Sequence, residues 1–314
     1  MALGNVWPRV GAVCGLAAFL VLTPAGSSPA AATSCHFSNG TATVRVSAGT
    51  AVRMFVWPES RRIWWGNQSD SSQQGYCGRA RTGNTEVVRV IGRGRSAKLD
   101  YQQPYLPFGD GSLRERGERE VEFVLRDMTG FWLTGLGGLD GVGEDVRLGE
   151  RGVDVNGDGD RDVTFRGGPM TNVSLFLLGG RDRGDAGGGS GTGQPWPRAR
   201  QVVITGGGGD DLLRGHAGRD TLMGDVGTDR LFGLGGRDDL SDTGVGDEMW
   251  GGDGADVLSS RSGDATWLHG GAGDDIFDAL DNVVDHLVDG GRGYDRAWHD
   301  DEDPISSIEE RLVH

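Results

Sequence analysis

From Gly206 the chain repeats every nine residues, and that period limits what this stretch can fold into more than any other feature. Successive units are GGGGDDLLR (206–214), GHAGRDTLM (215–223), GDVGTDRLF (224–232) and GLGGRDDLS (233–241). The degenerate but in-phase DTGVGDEMW (242–250) follows, then GGDGADVLS (251–259). Position six is aspartate in all of these: Asp211, Asp220, Asp229, Asp238, Asp247 and Asp256. Position eight is always apolar: Leu213, Leu222, Leu231, Leu240, Met249 and Leu258. The next unit has Ala265 where the aspartate belongs and carries one extra residue, after which GGAGDDIFD (270–278) and GGRGYDRAW (290–298) bring Asp275 and Asp295.

The spacing has a physical reading. A short strand at positions seven to nine puts only position eight on one face, because side chains alternate along a strand. Those apolar residues stack into a narrow core, while the six preceding residues turn the chain round on glycines that tolerate unusual backbone angles. Two units make one coil of 18 residues, so Asp211 stands beside Asp229 and Asp247, and Asp220 beside Asp238 and Asp256. Stacked carboxylates repel one another unless a cation lies between them. Carboxylates plus turn carbonyls suit Ca²⁺, which takes about six to eight oxygens at roughly 2.3–2.6 Å. Zinc would call for His or Cys, which position six never supplies. The candidate calcium set, for several ions, is Asp211, Asp220, Asp229, Asp238, Asp247, Asp256, Asp275 and Asp295 with Gly207, Gly209, Gly218, Gly227, Gly236, Gly254 and Gly273. On this stacking Asp229 and Asp238 each serve two ions, whereas Asp295 stands alone beyond an irregular stretch.

This pattern resembles the G-G-x-G-x-D-x-U-x nonapeptide of the hemolysin-type calcium-binding (RTX) repeat family. The endings His286-Leu-Val-Asp-Gly-Gly-Arg-Gly-Tyr-Asp-Arg-Ala and Ile305-Ser-Ser-Ile-Glu-Glu-Arg are also similar to the ends of such arrays. The chain as a whole is similar to exported actinobacterial members of that family, with a Cys-containing β-rich front and a Gly-rich bridge. The resemblance implies an all-β protein: a parallel β-roll, or β-solenoid, preceded by a β-rich N-terminal region.

Charge agrees with a cation-binding array. Residues 206–303 hold 22 Asp, 2 Glu and 7 Arg, a net charge of −17, whereas the whole chain carries −15. Such a block repels nucleic acid and anionic membranes, so neither is an expected partner.

At the N-terminus Arg9, the apolar run Val10 to Leu22 and the small residues Ala30-Ala31-Ala32 read as a signal peptide over 1–32, which implies a secreted, extracellular protein. The run is shorter than the roughly 20 residues a membrane span needs, and the mature chain has no long apolar segment. Cys35 and Cys77 remain after cleavage, an even pair that predicts one disulfide in an exported chain; two free thiols is the alternative.

Residues 33–100 form the β-rich N-terminal region. Thr41–Val46 and Ala51–Val56 flank Ser47-Ala48-Gly49-Thr50 in a hairpin pattern. Trp57, Trp64 and Trp65 are either core or an exposed platform for carbohydrate. Residues 101–185 offer further short strands with glycine between them, as in a solenoid. A Gly-rich linker or loop and a lead-in strand follow over 186–205, then the array over 206–303 and a C-terminal cap over 304–314. A second acidic cluster, Asp154, Asn156, Asp158, Asp160 and Asp162, matches the start of an EF-hand-like loop. It lacks the Glu at the twelfth position, where Phe165 stands, so a polar turn is the competing reading.

Signatures of catalysis are missing from the sequence: there is no H-E-x-x-H and no Walker loop, and Thr192 stands where a G-x-S-x-G elbow at Ser190 needs glycine. The sequence points to a non-catalytic structural or adhesive protein whose folding is coupled to calcium and whose partner is a cell-surface or matrix component. The rival is an extracellular polysaccharide-active hydrolase or lyase with a calcium-binding tail, its chemistry within residues 35–200.

Overall fold

The computed structural model describes residues 33–47, 50–56, 60–68, 70–81, 85–92, 98–102, 122–134, 145–155, 161–167, 170–189, 191–197, 200–260 and 266–312. Among these residues the chain is all-β, with no helix. No helix long and apolar enough to cross a membrane occurs there.

Strands alternate between two long sheets, 14 strands in the first and 13 in the second among the described residues. From Leu212–Arg214 to Ile305–Ser306 the first sheet takes every other strand in parallel, and the second takes the strands between them. Each coil thus adds one strand to each sheet, the topology of a solenoid. The sheets pass residues 100, 185 and 205 without a break in strand order.

Position eight fills the space between the sheets. Leu213, Leu222, Leu231, Leu240, Met249, Leu258, Leu268, Phe277, Val288 and Ala297 are all fully buried, one per strand. The earlier coils use the same alternation with smaller residues, mostly valine: Ala42, Val44 and Val46 face inward, as do Val88 and Val90. Burying each Leu or Val contributes about 1.5–3 kcal/mol.

Three expectations need correction. Strands Thr41–Val46 and Ala51–Val56 do not form a hairpin, because the first lies in the first sheet and the second in the second. Their inward faces meet across the core, which satisfies the same alternation without side-by-side pairing. Most repeat strands are also longer than three residues, Leu212–Arg214 being an exception. Arg230–Gly236 starts at position seven of one unit and reaches position four of the next. Its ladder skips position one, passing from Phe232↔Trp250 to Leu234↔Gly252, because position two turns to positive φ (77° at Leu234, 110° at Gly252). At position four, Gly254 has φ 145°, and a Cβ there would overlap the Gly236 carbonyl of the previous coil, so the stacking admits only glycine. Finally, Asp295 is in register with the other aspartates, as described below.

Cys35 and Cys77 form a disulfide with Cα atoms 5.1 Å apart, joining the outer strand of the first sheet to that of the second. Trp65 belongs to the core and Trp64 is half-buried; Trp57 lies outside the described residues. The stretch around 187–197 is a folded loop rather than a tether. Gly149 pairs with Pro195, and Trp196 is buried edge-on against Phe165 at 5.9 Å.

Candidate metal centre: two carboxylate ladders

Position six sits at the corner where the chain leaves one sheet for the other, and its side chain folds inward. All eight predicted aspartates are buried. One carboxylate oxygen of each except Asp220 accepts a main-chain N–H from the coil before it, which fixes both register and orientation.

On one edge Asp182 N–H donates to Asp211 Oδ1 (2.7 Å), Asp211 N–H to Asp229 Oδ1 (2.6 Å) and Asp229 N–H to Asp247 Oδ1 (2.8 Å). Thr266 takes the next corner and donates to Asp285 Oδ1 (2.9 Å), and Asp285 N–H donates to Asp303 Oδ1 (3.0 Å). On the other edge the sequence is Asp220 to Asp238 (2.8 Å), Asp238 to Asp256 (2.7 Å), Asp256 to Asp275 (2.8 Å) and Asp275 to Asp295 (2.8 Å). Asp295 N–H then donates to Glu309 Oε2 (2.7 Å). Asp295 is therefore a full member of its ladder and not isolated. Coils of 19 and 20 residues keep the ladder register.

The second oxygen is the chemically telling one. Oδ2 of Asp211, Asp229, Asp238, Asp247, Asp256, Asp275, Asp285 and Asp295 is buried with no hydrogen-bond partner. Burial of a charged oxygen without compensation is costly, so these atoms call for a cation or a proton. The neighbouring donors are also oxygens. A Cβ on Gly233, at position one, would lie 2.5 Å from Asp238 Oδ2 and 2.6 Å from the Gly251 carbonyl. Only glycine leaves that corner open, with a carboxylate and a main-chain carbonyl facing it. A hard divalent ion with all-oxygen ligands fits this donor set.

Burial, reinforced by neighbouring carboxylates, pushes Asp211 and Asp275 up to about 7 and Asp238 to about 8. Asp247 is pushed up to about 6 for the same reasons. Asp229, Asp256 and Asp295 are raised as well, burial again being the largest cause.

Asp220 is different. The His216 N–H donates to its Oδ2 (2.6 Å), and the His216 ring nitrogen Nδ1 lies 2.6 Å from its Oδ1, with both side chains buried. The first carboxylate of that edge is thus occupied by the chain's own groups. The sequence reading placed Asp220 with the other ligands and did not single out His216.

Of the predicted turn glycines, Gly207 at position two and Gly209, Gly227, Gly236, Gly254 and Gly273 at position four have positive φ and shape the corner; Gly218 is buried without it. Position one, glycine in every unit quoted except 242–250, went unremarked although it lies against the carboxylates. Asp182, Asp285, Asp303 and Glu309 were also missed, since the nine-residue register is broken or not yet begun where they occur.

The second acidic cluster lies between strands Gly152–Asp154 and Val163–Arg166, which pair antiparallel. Asp162 Oδ2 accepts the Val155 N–H (2.5 Å), and Asp154 is buried. Asn156, Asp158 and Asp160 lie outside the described residues.

Residues 205–240, 246–266 and 267–281 match the family model of the RTX calcium-binding nonapeptide repeat, in four copies. Comparison with curated proteins and with solved structures gave no match. Residues 205–281 are therefore an array of RTX calcium-binding nonapeptide repeats, wound here as a parallel β-roll, and through it the protein is calcium-binding.

Proposed function

We propose that this chain is an exported, non-catalytic protein whose array completes its folding on calcium and that it serves a structural or adhesive role at the cell surface or in the extracellular matrix. The observation that carries this reading is the line of buried, unpartnered Oδ2 atoms along both edges of the roll. At neutral pH their mutual repulsion opposes the same stacking that the leucine column favours. Calcium removes the repulsion only in the folded state, so its binding free energy becomes folding free energy.

The adhesive part rests on the outer face of the first sheet. Positions seven and nine point outward there and bring Phe232, Trp250, Trp267 and His269 together on adjacent strands. Trp250 and Trp267 are 40 % and 42 % exposed. Trp250 stacks on His269 with ring centroids 3.9 Å apart, and its Nε1–H donates to Glu248 Oε1 (3.0 Å). Flat aromatic faces with hydrogen-bonding rims suit the pyranose rings of a polysaccharide. The acidic array favours a neutral polymer over an anionic one.

Circular dichroism of the full chain in calcium and in EGTA tests the calcium reading. Near 10⁻⁴–10⁻³ M calcium, the range of weak extracellular modules, we expect a β signal that falls when EGTA is added and returns with calcium. A spectrum indifferent to EGTA at pH 7.5 refutes it.

A further inference from the structure

Asp242 occupies position one of its unit, a place that glycine holds in most of the others, and the structure gives it a use. Its Oδ1 accepts the N–H groups of Thr243 (2.6 Å) and Gly244 (2.8 Å), which locks the side chain in one orientation. Its Oδ2 is left buried and without a partner, pointing at the bare Cα of Gly224. Asp229 Oδ2 converges on the same spot, 2.5 Å from where a Gly224 Cβ would be. One carboxylate oxygen each of Asp229, Asp242 and Asp247 lies within 4.8 Å of the other two, and all three side chains are buried.

We propose that Asp229, Asp242 and Asp247 form a three-carboxylate calcium site, tighter than the other corners of the roll and filled before them. The inference rests on the reading that the ladder carboxylates hold calcium. It goes further because no other unit quoted above carries a carboxylate at position one, where glycine supplies only a carbonyl. A third carboxylate adds a full negative charge to the ligand set, and calcium affinity in oxygen sites follows ligand charge and rigidity. The locked orientation of Asp242 and the ladder bonds to Asp229 and Asp247 supply the rigidity. Burial and the Asp247 and Asp229 charges push Asp242 up to about 8, the behaviour of a carboxylate held beside others with nothing between them.

The unit 242–250 reads as degenerate in sequence, yet it would be the strongest site in the array. A tight site in mid-array also provides a folded coil on which neighbours on both sides can stack. Filling it first therefore lowers the calcium needed by the rest.

Isothermal titration with calcium on the full chain provides the test, using wild type, Asp242→Asn and Asp242→Gly. Asparagine keeps the side-chain acceptor for Thr243 and Gly244 and removes the charge; glycine restores the repeat. Wild type should show one tight ion per chain ahead of a weaker class. Both variants should lose the tight class, with first-ion affinity weakened about 10-fold or more and the weaker class retained. A single class of sites in wild type overturns the proposal without recourse to the variants. So does a tight class that survives both substitutions, and in either case the calcium reading of the ladders stands. No calcium uptake by wild type would instead sink that reading, and this inference with it.

Discussion

A buried carboxylate with one oxygen unpartnered can lose its charge to a proton or share it with a cation, and pH sets the competition. Asp211, Asp238, Asp247 and Asp275 titrate at about 6 to 8 in the folded chain against an ordinary value of 3.8. Folded-state values raised in this way mean that the folded chain binds more protons than the unfolded one between those limits. The stability of the metal-free roll is therefore fully present below pH 4 and is lost as pH rises through about 6 to 8. We expect chain unfolded by EGTA at pH 7.5 to regain β structure at pH 4.5 with no metal added. Far-ultraviolet circular dichroism across that range checks this, and a metal-free roll that is most stable at alkaline pH would contradict it. Calcium competes with the same protons, so its apparent affinity should weaken as the solution is acidified.

At the scale of a strand, the division between inner and outer faces is what the sequence displayed best. Position eight is readable because alternation leaves no other place for Leu231 or Leu258. The two edges are readable because an 18-residue coil returns each aspartate to its own kind. Strand length was not readable, since glycine-rich positions one to four look like a turn and yet pair across the sheet. Insertions hid Asp285, Asp303 and the placement of Asp295: a strict nine-residue count loses the register, whereas the ladder bonds keep it over coils of 19 and 20 residues. The same logic makes the outward positions free to specialise. Replacing both Trp250 and Trp267 with Ala removes exposed rings and no buried core. Retention on an insoluble neutral polysaccharide in calcium should drop at least severalfold while the circular dichroism spectrum stays unchanged. Equal retention by wild type and the double variant would rule out this face as the adhesive surface.

At the scale of the molecule, stacked coils contact only their neighbours, so damage at one end stays near that end. The Cys35–Cys77 bond closes a loop over 42 positions between the outermost strands of the two sheets. Its loss should cost about 3–4 kcal/mol through the greater freedom of the open chain. Paired Cys35→Ser and Cys77→Ser substitutions should lower the melting temperature, with proteolysis beginning in residues 33–100. The calcium response of residues 206–298 should persist, and its disappearance would show that the sheets unfold as one block. The polarity of the ladders carries a further meaning. Along each run of acidic corners the N–H donates forward, to a carboxylate one coil nearer the C-terminus, and the first edge is interrupted only where Thr266 follows Asp247. The final acceptors are Asp303 on one edge and Glu309 on the other, outside the repeats proper. Each of these corners therefore leans on the coil after it, and the last two lean on a clasp beyond the final nonapeptide.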